Sequence, residues 1–273
     1  MDSFREGLKE FYNLKYPILL DHYPGITLQR LIFEFEDFHI QDHAHFKKYL
    51  EALNLGIPLA YISEKCFFYN SIFKINRYAL IPRYETELLV EIALSEISKN
   101  NFKTFCDVGV GPGTILFSVL RDSPISLESL GLDISEEVLN LANENLSLLR
   151  PKFKTNQIVA LKKSDRLISI NQKFDLIVSN PPYIKESDKK NIHQQVVDFE
   201  PHVALFIKDQ EFEEWFKFFF DQVKKSLNIN GVFLMEGHED HLPDLGCIAQ
   251  NYFSEIQIIQ DLTHRNRFLK AKK

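Results

Sequence analysis

Four consecutive residues, Asn180-Pro181-Pro182-Tyr183, end the apolar run FDLIVSNPPYI at positions 174–184 of a 273-residue chain. Termination alone accounts for them in the simplest reading, because proline cannot continue a ladder and Asn favours turns. The same residue types also suit a chemical task. The Asn180 side chain offers a carbonyl, and the rigid prolines present a backbone carbonyl with no competing N–H. Two acceptors converging at one point hold the two hydrogens of a planar NH₂ group. The Tyr183 ring adds an aromatic face for a flat substrate.

A second cluster lies upstream. Three of the ten glycines, Gly109, Gly111 and Gly113, fall within five residues of CDVGVGPGTI, after an expected strand and before an expected helix. Glycine permits a tight turn and lets a ligand approach the backbone. The spacing is G-x-G-x-G, not the dinucleotide G-x-G-x-x-G, and no P-loop Lys-Ser/Thr follows, so a pyrophosphate is a poor fit. Twenty residues beyond Gly113, LGLDISEE ends a second expected strand with Asp133. A carboxylate there is placed to accept hydrogen bonds from both ribose hydroxyls. Capping the next helix is its other reading. Strand, glycine turn, helix, strand and acid together describe a nucleoside site without a phosphate grip, which S-adenosylmethionine fits better than NAD.

Methyl transfer to a conjugated NH₂ group follows from joining the two clusters. In a doubly wound sheet the ligand crevice lies at the carboxyl ends of the strands, at the switch in strand order. Strand 174–179 would be the fourth, beside the first, so its end opens next to the cofactor's methyl group. An amide nitrogen is a poor nucleophile because its lone pair is delocalised. The enzyme's task is therefore alignment, with acceptors that stabilise positive charge growing on nitrogen. No general base is evident. A glutamine amide and adenine N6 both meet this description.

The elements that must carry these residues divide the chain. Residues 1–65 predict three or four short helices: Leu28, Leu31, Ile32 and Phe35, then Phe46, Tyr49, Leu50 and Leu53, recur at helical spacing, punctuated by Pro17, Pro24-Gly25 and Gly56-Ile57-Pro58. CFFYNSIFKIN predicts a β-hairpin turning at Asn70-Ser71. After Pro82, β-rich and helical runs alternate, the mark of a mostly parallel sheet covered by helices. Strands are expected at 102–108, 128–133, 156–161, 174–179, 231–236, 253–260 and 266–270. A helix at 211–227, closed by Asn230-Gly231, carries Phe212, Trp215, Phe216, Phe219, Phe220, Val223 and Leu227 on one face, a pattern of core rather than of a cofactor wall.

Bulk properties narrow the function. An apolar content of 45% supports a sizeable core, and three scattered cysteines, Cys66, Cys106 and Cys247, do not make a disulfide framework. No 18-residue apolar run and no apolar leader is present, which points to a cytoplasmic protein off the membrane. Net charge is −6, with most of the excess acid in residues 83–273. That balance argues against direct nucleic-acid binding. The basic clusters Lys185–Lys190 and Arg265–Lys273 read as a solvated loop and a frayed terminus. His39, His43 and His45, or His238 and His241, mimic metal-ligand spacing but lack a complete ligand set, so no metal is expected.

ALIPRYETELLVEIAL, DVGVGPG, GLDIS, FDLIVSNPPYI, FEPHVALF and DLTHRNRFL, in that order, resemble the HemK-type protein-(glutamine-N5) methyltransferases from about Gly56 to the C-terminus. The resemblance implies a Rossmann-like α/β methyltransferase fold with a small helical N-terminal domain. Residues 1–65 would recognise the substrate, 66–82 form a hairpin linker and 83–273 bind S-adenosylmethionine, releasing S-adenosylhomocysteine. It places the cofactor on Asp107, Gly109, Val110, Gly111, Pro112, Gly113, Asp133, Asp165, Arg166 and Asn180. It places the substrate amide on Asn180, Pro181, Pro182 and Tyr183, the catalytic set. Ile81–Glu87 resembles the segment covering the cofactor, and its Glu85-Thr86-Glu87 favours class 1 peptide chain release factors as substrate over a ribosomal protein. The expected enzyme is a monomer. An N6-adenine DNA methyltransferase, which would need a basic groove, and a catalytically silent S-adenosylmethionine-binding module are the competing readings. The chain departs from the family at Tyr84, at Ile207–Phe216 and at Glu236-Gly237.

Overall fold

The computed structural model describes residues 2–22, 27–29, 31–32, 43–153 and 157–273. Pro24-Gly25, Phe35 and His39 lie outside the described residues, as do the side chains of His43, His45 and Phe46. The first elements are α1 (Asp2–His22), α2 (His43–Asn54) and α3 (Leu59–Ser63). Pro17 lies within α1 rather than ending a helix. Leu8 and Leu19 of α1, Leu53 of α2 and Ile62 of α3 bury together with Leu31 as a small core of their own.

Strands β1 (Lys65–Phe68) and β2 (Ser71–Lys74) pair antiparallel, with Phe68 opposite Ser71. The two turn residues are thus Tyr69 and Asn70, one position earlier than Asn70-Ser71. Both have positive φ, +42° and +60°, as a two-residue hairpin turn matching the strand twist requires. Tyr69 tolerates this because its N–H donates to Glu87 Oε1 (3.0 Å) and its hydroxyl donates to Glu91 Oε1 (2.5 Å).

Helices and strands then alternate: α4 (Glu85–Asn100), β3 (Thr104–Val108), α5 (Thr114–Asp122), β4 (Glu128–Asp133), α6 (Glu136–Leu149), β5 (Ile158–Lys163) and β6 (Phe174–Ser179). After a small parallel pair, β7 (Ile184–Lys185) with β8 (Phe206–Ile207), flanking α7 (Gln194–Phe199), come α8 (Phe212–Ser226), β9 (Leu227–Glu236), α9 (Leu242–Ala249), β10 (Glu255–Gln260) and β11 (Asn266–Lys272). The seven-stranded sheet has the order β10-β11-β9-β6-β3-β4-β5. β3 pairs parallel with both β4 and β6, while β11 is antiparallel to β9 and to β10. The chain fills one side of β3 and then crosses to the other at β6, so the switch point lies between β3 and β6.

Two expectations fail here for one reason: a long central strand outcompetes local signals. Asn230-Gly231 does not close α8, because β9 begins at Leu227 directly after the helix and contains both residues. The basic tail is not frayed, because β11 lies between β9 and β10 and buries Phe268, Leu269 and Ala271. Phe216, Phe219, Phe220 and Val223 of α8 pack on one sheet face with Phe233 and Phe253. Leu89, Val90, Ala93 and Ile97 of α4 cover the other with Phe105, Leu176 and Leu234.

Candidate active site

The glycine turn leaves β3 with Gly109 N–H and Val110 N–H both donating to Leu132 O of β4, at 2.8 Å each. Gly113 has φ +89°, and a Cβ there would stand 2.1 Å from the Phe117 ring, so only glycine fits. Asn145 of α6 fixes the turn from behind. Its Oδ1 accepts from Lys74 N–H (2.7 Å), and its Nδ2 donates to Lys74 O and Pro112 O (2.9 Å each), joining hairpin, helix and turn.

Asp107 serves the same turn. Its Oδ2 accepts from Leu116 N–H at 3.0 Å, capping the start of α5. Its Oδ1 is buried and has no hydrogen-bond partner among the described residues. Burial, reinforced by the nearby Asp133 charge, pushes the Asp107 carboxyl well above the ordinary carboxylate range despite the Leu116 N–H. Asp107 does not line the cavity described next.

Asp133 ends β4 at the mouth of a cavity of about 340 Å³. The cavity is also lined by Gly109, Val110, Gly111 and Pro112 of the glycine turn, though not by the expected Gly113, and by Asp165, Arg166 and the ends of β3 and β6. Asp133 Oδ2 accepts from Gly111 N–H and Oδ1 from Ser135 N–H, each at 3.0 Å. A carboxylate has about four acceptor positions, so acceptor capacity remains for a ligand. The helix-capping role falls instead to Ser135, whose Oγ accepts from Val138 N–H at 3.2 Å. Burial raises the Asp133 pKa, although the turn N–H groups work against this.

Arg166, at φ +52°, forms a two-pronged pair with Asp165 (2.9 and 3.0 Å). Its guanidinium lies 4.9 Å from the Trp215 ring centroid and 4.8 Å from that of Phe218. Trp215 and Phe219 also line the cavity. The α8 aromatic face is therefore core along most of its length and cavity wall at Trp215 and Phe219.

Asn180 follows β6 at the other side of the switch point, its backbone carbonyl 3.8 Å from where a Gly109 Cβ would be. Ser179 Oγ donates to Val108 O at 2.7 Å, locking the two strand ends together. Pro181 and Pro182 line the same cavity. Tyr183 does not; it lines an adjoining cavity of about 220 Å³ with Arg83, Ile184, Ile192, Val196 and Leu205. Leu80, Asn180 and Ala204 border both. The structure thus brings Asn180, Pro181, Pro182, Gly109, Val110, Gly111, Pro112, Asp133, Asp165 and Arg166 around one space and sets Tyr183 in the next.

Three further residues, Glu200, Thr86 and Glu236, hold this arrangement, and their roles are invisible to spacing because their partners lie 53 to 150 positions away. Glu200, buried in FEPHVALF, accepts from Ile81 N–H (3.1 Å) and pairs with Arg83 (2.7 Å). It fastens the 81–87 segment over the site. Thr86 Oγ1 donates to Glu236 Oε2 at 2.6 Å and accepts from Asn180 Nδ2 at 3.3 Å. Tyr183 donates its phenol to Glu236 Oε1 at 3.0 Å. The only signals were the quoted segments that contain Thr86 and Glu200; Glu236 stood out only as a departure from the family pattern. Of the divergent positions, Tyr84 is largely exposed, whereas Ile207, Phe212 and Phe216 are core. His238 and His241 rings lie 5.2 Å apart, with His241 Nε2 at 3.0 Å from Asp188. Among the described residues no group of three or more His, Cys, Asp or Glu is placed to hold a metal ion, and no helix is long and apolar enough to cross a membrane.

Residues 99–268 match the family model described as a methyltransferase domain. The release factor glutamine methyltransferase of Clostridium acetobutylicum is 31% identical over 242 residues, covering 86% of this chain and 82% of its own. That of Haemophilus influenzae is 31% identical over 267 residues, covering 92% and 88%. The T. Thermophilus 16S rRNA N2 G1207 methyltransferase, solved in complex with AdoMet and guanosine, superposes with a TM-score of 0.51 at 16% identity, over 77% of this chain and 49% of that one.

Proposed function

The chain belongs to the release factor glutamine methyltransferases, and from that premise we propose that it transfers a methyl group from S-adenosylmethionine to the side-chain amide nitrogen of a glutamine in class 1 peptide chain release factors. The observation that carries this reading is the meeting of the glycine turn, Asp133 and Asn180-Pro181-Pro182 around one cavity at the switch between β3 and β6. The residues fit the cofactor. The cavity volume is within the range of small-ligand sites, Asp133 keeps acceptor capacity for ribose hydroxyls, and Trp215 and Phe219 supply an apolar wall for the base. When bound, S-adenosylmethionine supplies an electrophilic methyl group on a positively charged sulfur.

The chain's own residues do the rest. Asn180 borders both cavities, so a glutamine entering the second reaches the cofactor in the first past Asn180. With Nδ2 directed at Thr86, Asn180 leaves its Oδ1 to accept from the substrate NH₂. A proline-fixed backbone carbonyl supplies the other acceptor. These two acceptors orient the nitrogen and stabilise the positive charge that develops there. The Tyr183 ring flanks the amide plane. Residues 1–65 form the release-factor docking domain, 66–82 the hairpin linker and 83–273 the catalytic domain of a cytoplasmic, monomeric enzyme.

A side-by-side assay with radiolabelled S-adenosylmethionine tests this, offering purified release factors, ribosomal proteins and DNA. Label on a glutamine of the release factor is expected; label only on another substrate overturns the reading.

A further inference from the structure

Both substrate-facing polar side chains end on one buried carboxylate. Glu236 is 1% exposed and Thr86 3% exposed. Thr86 donates its single proton to Glu236 Oε2, at 2.6 Å, and Tyr183 donates its phenol proton to Oε1, at 3.0 Å. Burial pushes the Glu236 pKa up, and the Thr86 and Tyr183 hydroxyls with the nearby Arg267 charge oppose this; as a carboxylate it only accepts, so it dictates the direction of every bond around it. The Thr86 oxygen, its proton committed, has only lone pairs left to offer Asn180. The amide must then turn Nδ2 towards Thr86, as the 3.3 Å contact has it, and Oδ1 towards the cavity. The reverse amide orientation would set two acceptors against each other in a buried place, a costly arrangement.

Resting on the function proposed above, we propose that Glu236 and Thr86 are positioning residues that fix the amide orientation of Asn180, so that its oxygen rather than its nitrogen faces the substrate NH₂. Neither residue needs to touch the substrate. Glu236→Gln is nearly isosteric and reverses one bond: its NH₂ donates to Thr86, the Thr86 proton turns to Asn180, and the amide is free to flip. A flipped Asn180 presents a donor to a donor. The anchor on Tyr183 is weakened by the same change only if the glutamine oxygen fails to face it.

The test has two readouts. In steady-state kinetics on a release factor, Glu236→Gln is expected to lower kcat at least tenfold, with S-adenosylmethionine affinity by calorimetry and the melting temperature little changed. Thr86→Val is expected to match it, and Thr86→Ser, which keeps the hydroxyl, to recover most of the turnover. A neutron structure of wild type and Glu236→Gln reads the Asn180 oxygen and nitrogen directly, independently of any substrate. A flipped or mixed amide in Glu236→Gln supports the proposal. Unchanged kcat in Glu236→Gln, equal activity of Thr86→Ser and Thr86→Val, or an unflipped Asn180 amide while the introduced glutamine donates to Thr86 overturns it. If Glu236→Gln does not fold, the two Thr86 variants decide. A wild-type enzyme inactive on release factors would sink the functional reading instead, and the neutron readout would still judge the orientation.

Discussion

Asp133 has two duties at one position, and a substitution there separates them. Its oxygens hold Gly111 and Ser135 through their N–H groups, and its remaining acceptor positions face the cavity. Asp133→Ala is expected to weaken S-adenosylmethionine binding roughly ten- to hundredfold, from hydrogen bonds to a charged group worth about 1.5–3 kcal/mol. It should also loosen the glycine turn. Calorimetry on the folded variant checks this, and unchanged affinity would remove Asp133 from the site. Asn180→Ala differs because the proposed role of this residue is to face the substrate rather than to hold the cofactor. Turnover is expected to fall about a hundredfold or more, in line with loss of one preorganised electrostatic partner, while cofactor affinity survives. Near-normal methylation by Asn180→Ala would reduce the motif to a strand terminator.

At the scale of elements, side chains that tie one backbone segment to another hold the site's shape. Asn145 pairs with the backbone of Lys74 and with Pro112 O, so the hairpin and the glycine turn share one amide. Asn145→Ala leaves these buried groups unmatched. A stability loss of about 1–3 kcal/mol is expected, read from the urea midpoint with an unchanged slope. Asp175 of β6 does the same at the opposite end of the sheet, accepting from Lys103 N–H, Thr104 N–H and Asn228 Nδ2. Partial burial pushes its pKa up, but these donors outweigh burial and hold it below the ordinary 3.8. A carboxyl with a lowered folded pKa contributes stability that is fully present above its unfolded value. That stability is lost as pH falls through the folded value. Asp175→Asn should therefore flatten part of the acid-side decline of unfolding free energy below about pH 4. An unaltered acid limb would show that Asp175 contributes nothing there.

Over the whole molecule, the N-terminal helices have their own small core and meet the rest close to the second cavity. Gln195 of α7 donates to Gly56 O at 2.7 Å, one residue from Val196, which lines that cavity. Tyr61 donates to Ala79 O at 2.7 Å, beside the segment that borders the first. A large protein substrate would thus meet these helices while its glutamine occupies the pocket, and two linked contacts raise the effective concentration at the site. Residues 66–273 alone, where soluble, should bind S-adenosylmethionine normally but methylate full-length release factor poorly. Short glutamine peptides should distinguish the two forms little. The comparison is of kcat/KM on factor and peptide, and equal activity on the full-length factor would leave residues 1–65 as a structural cover.

The alternation of β-rich and helical runs after Pro82 determined a parallel-type sheet with helices, because strand and helix periodicities are local properties of the chain. Glycine placement after β3 and the acid ending β4 were legible for the same reason: a turn, a helix start and a strand end are each specified within a few residues. Local signals failed wherever a distant partner decided the outcome. Asn230-Gly231 reads as a helix stop, yet pairing of β9 with β6 and β11 absorbs both residues into a strand. The basic tail reads as a frayed terminus, yet its buried Phe268, Leu269 and Ala271 find a slot between β9 and β10. Trp215 reads as core, and only the folded position of Arg166 and the strand ends makes it a wall. Thr86, Asn180 and Glu236 lie 94 to 150 positions apart in their contacts. No periodicity or spacing encodes a hydrogen bond at that separation; only the tertiary structure brings those donors and acceptors within reach and sets the direction in which each proton points.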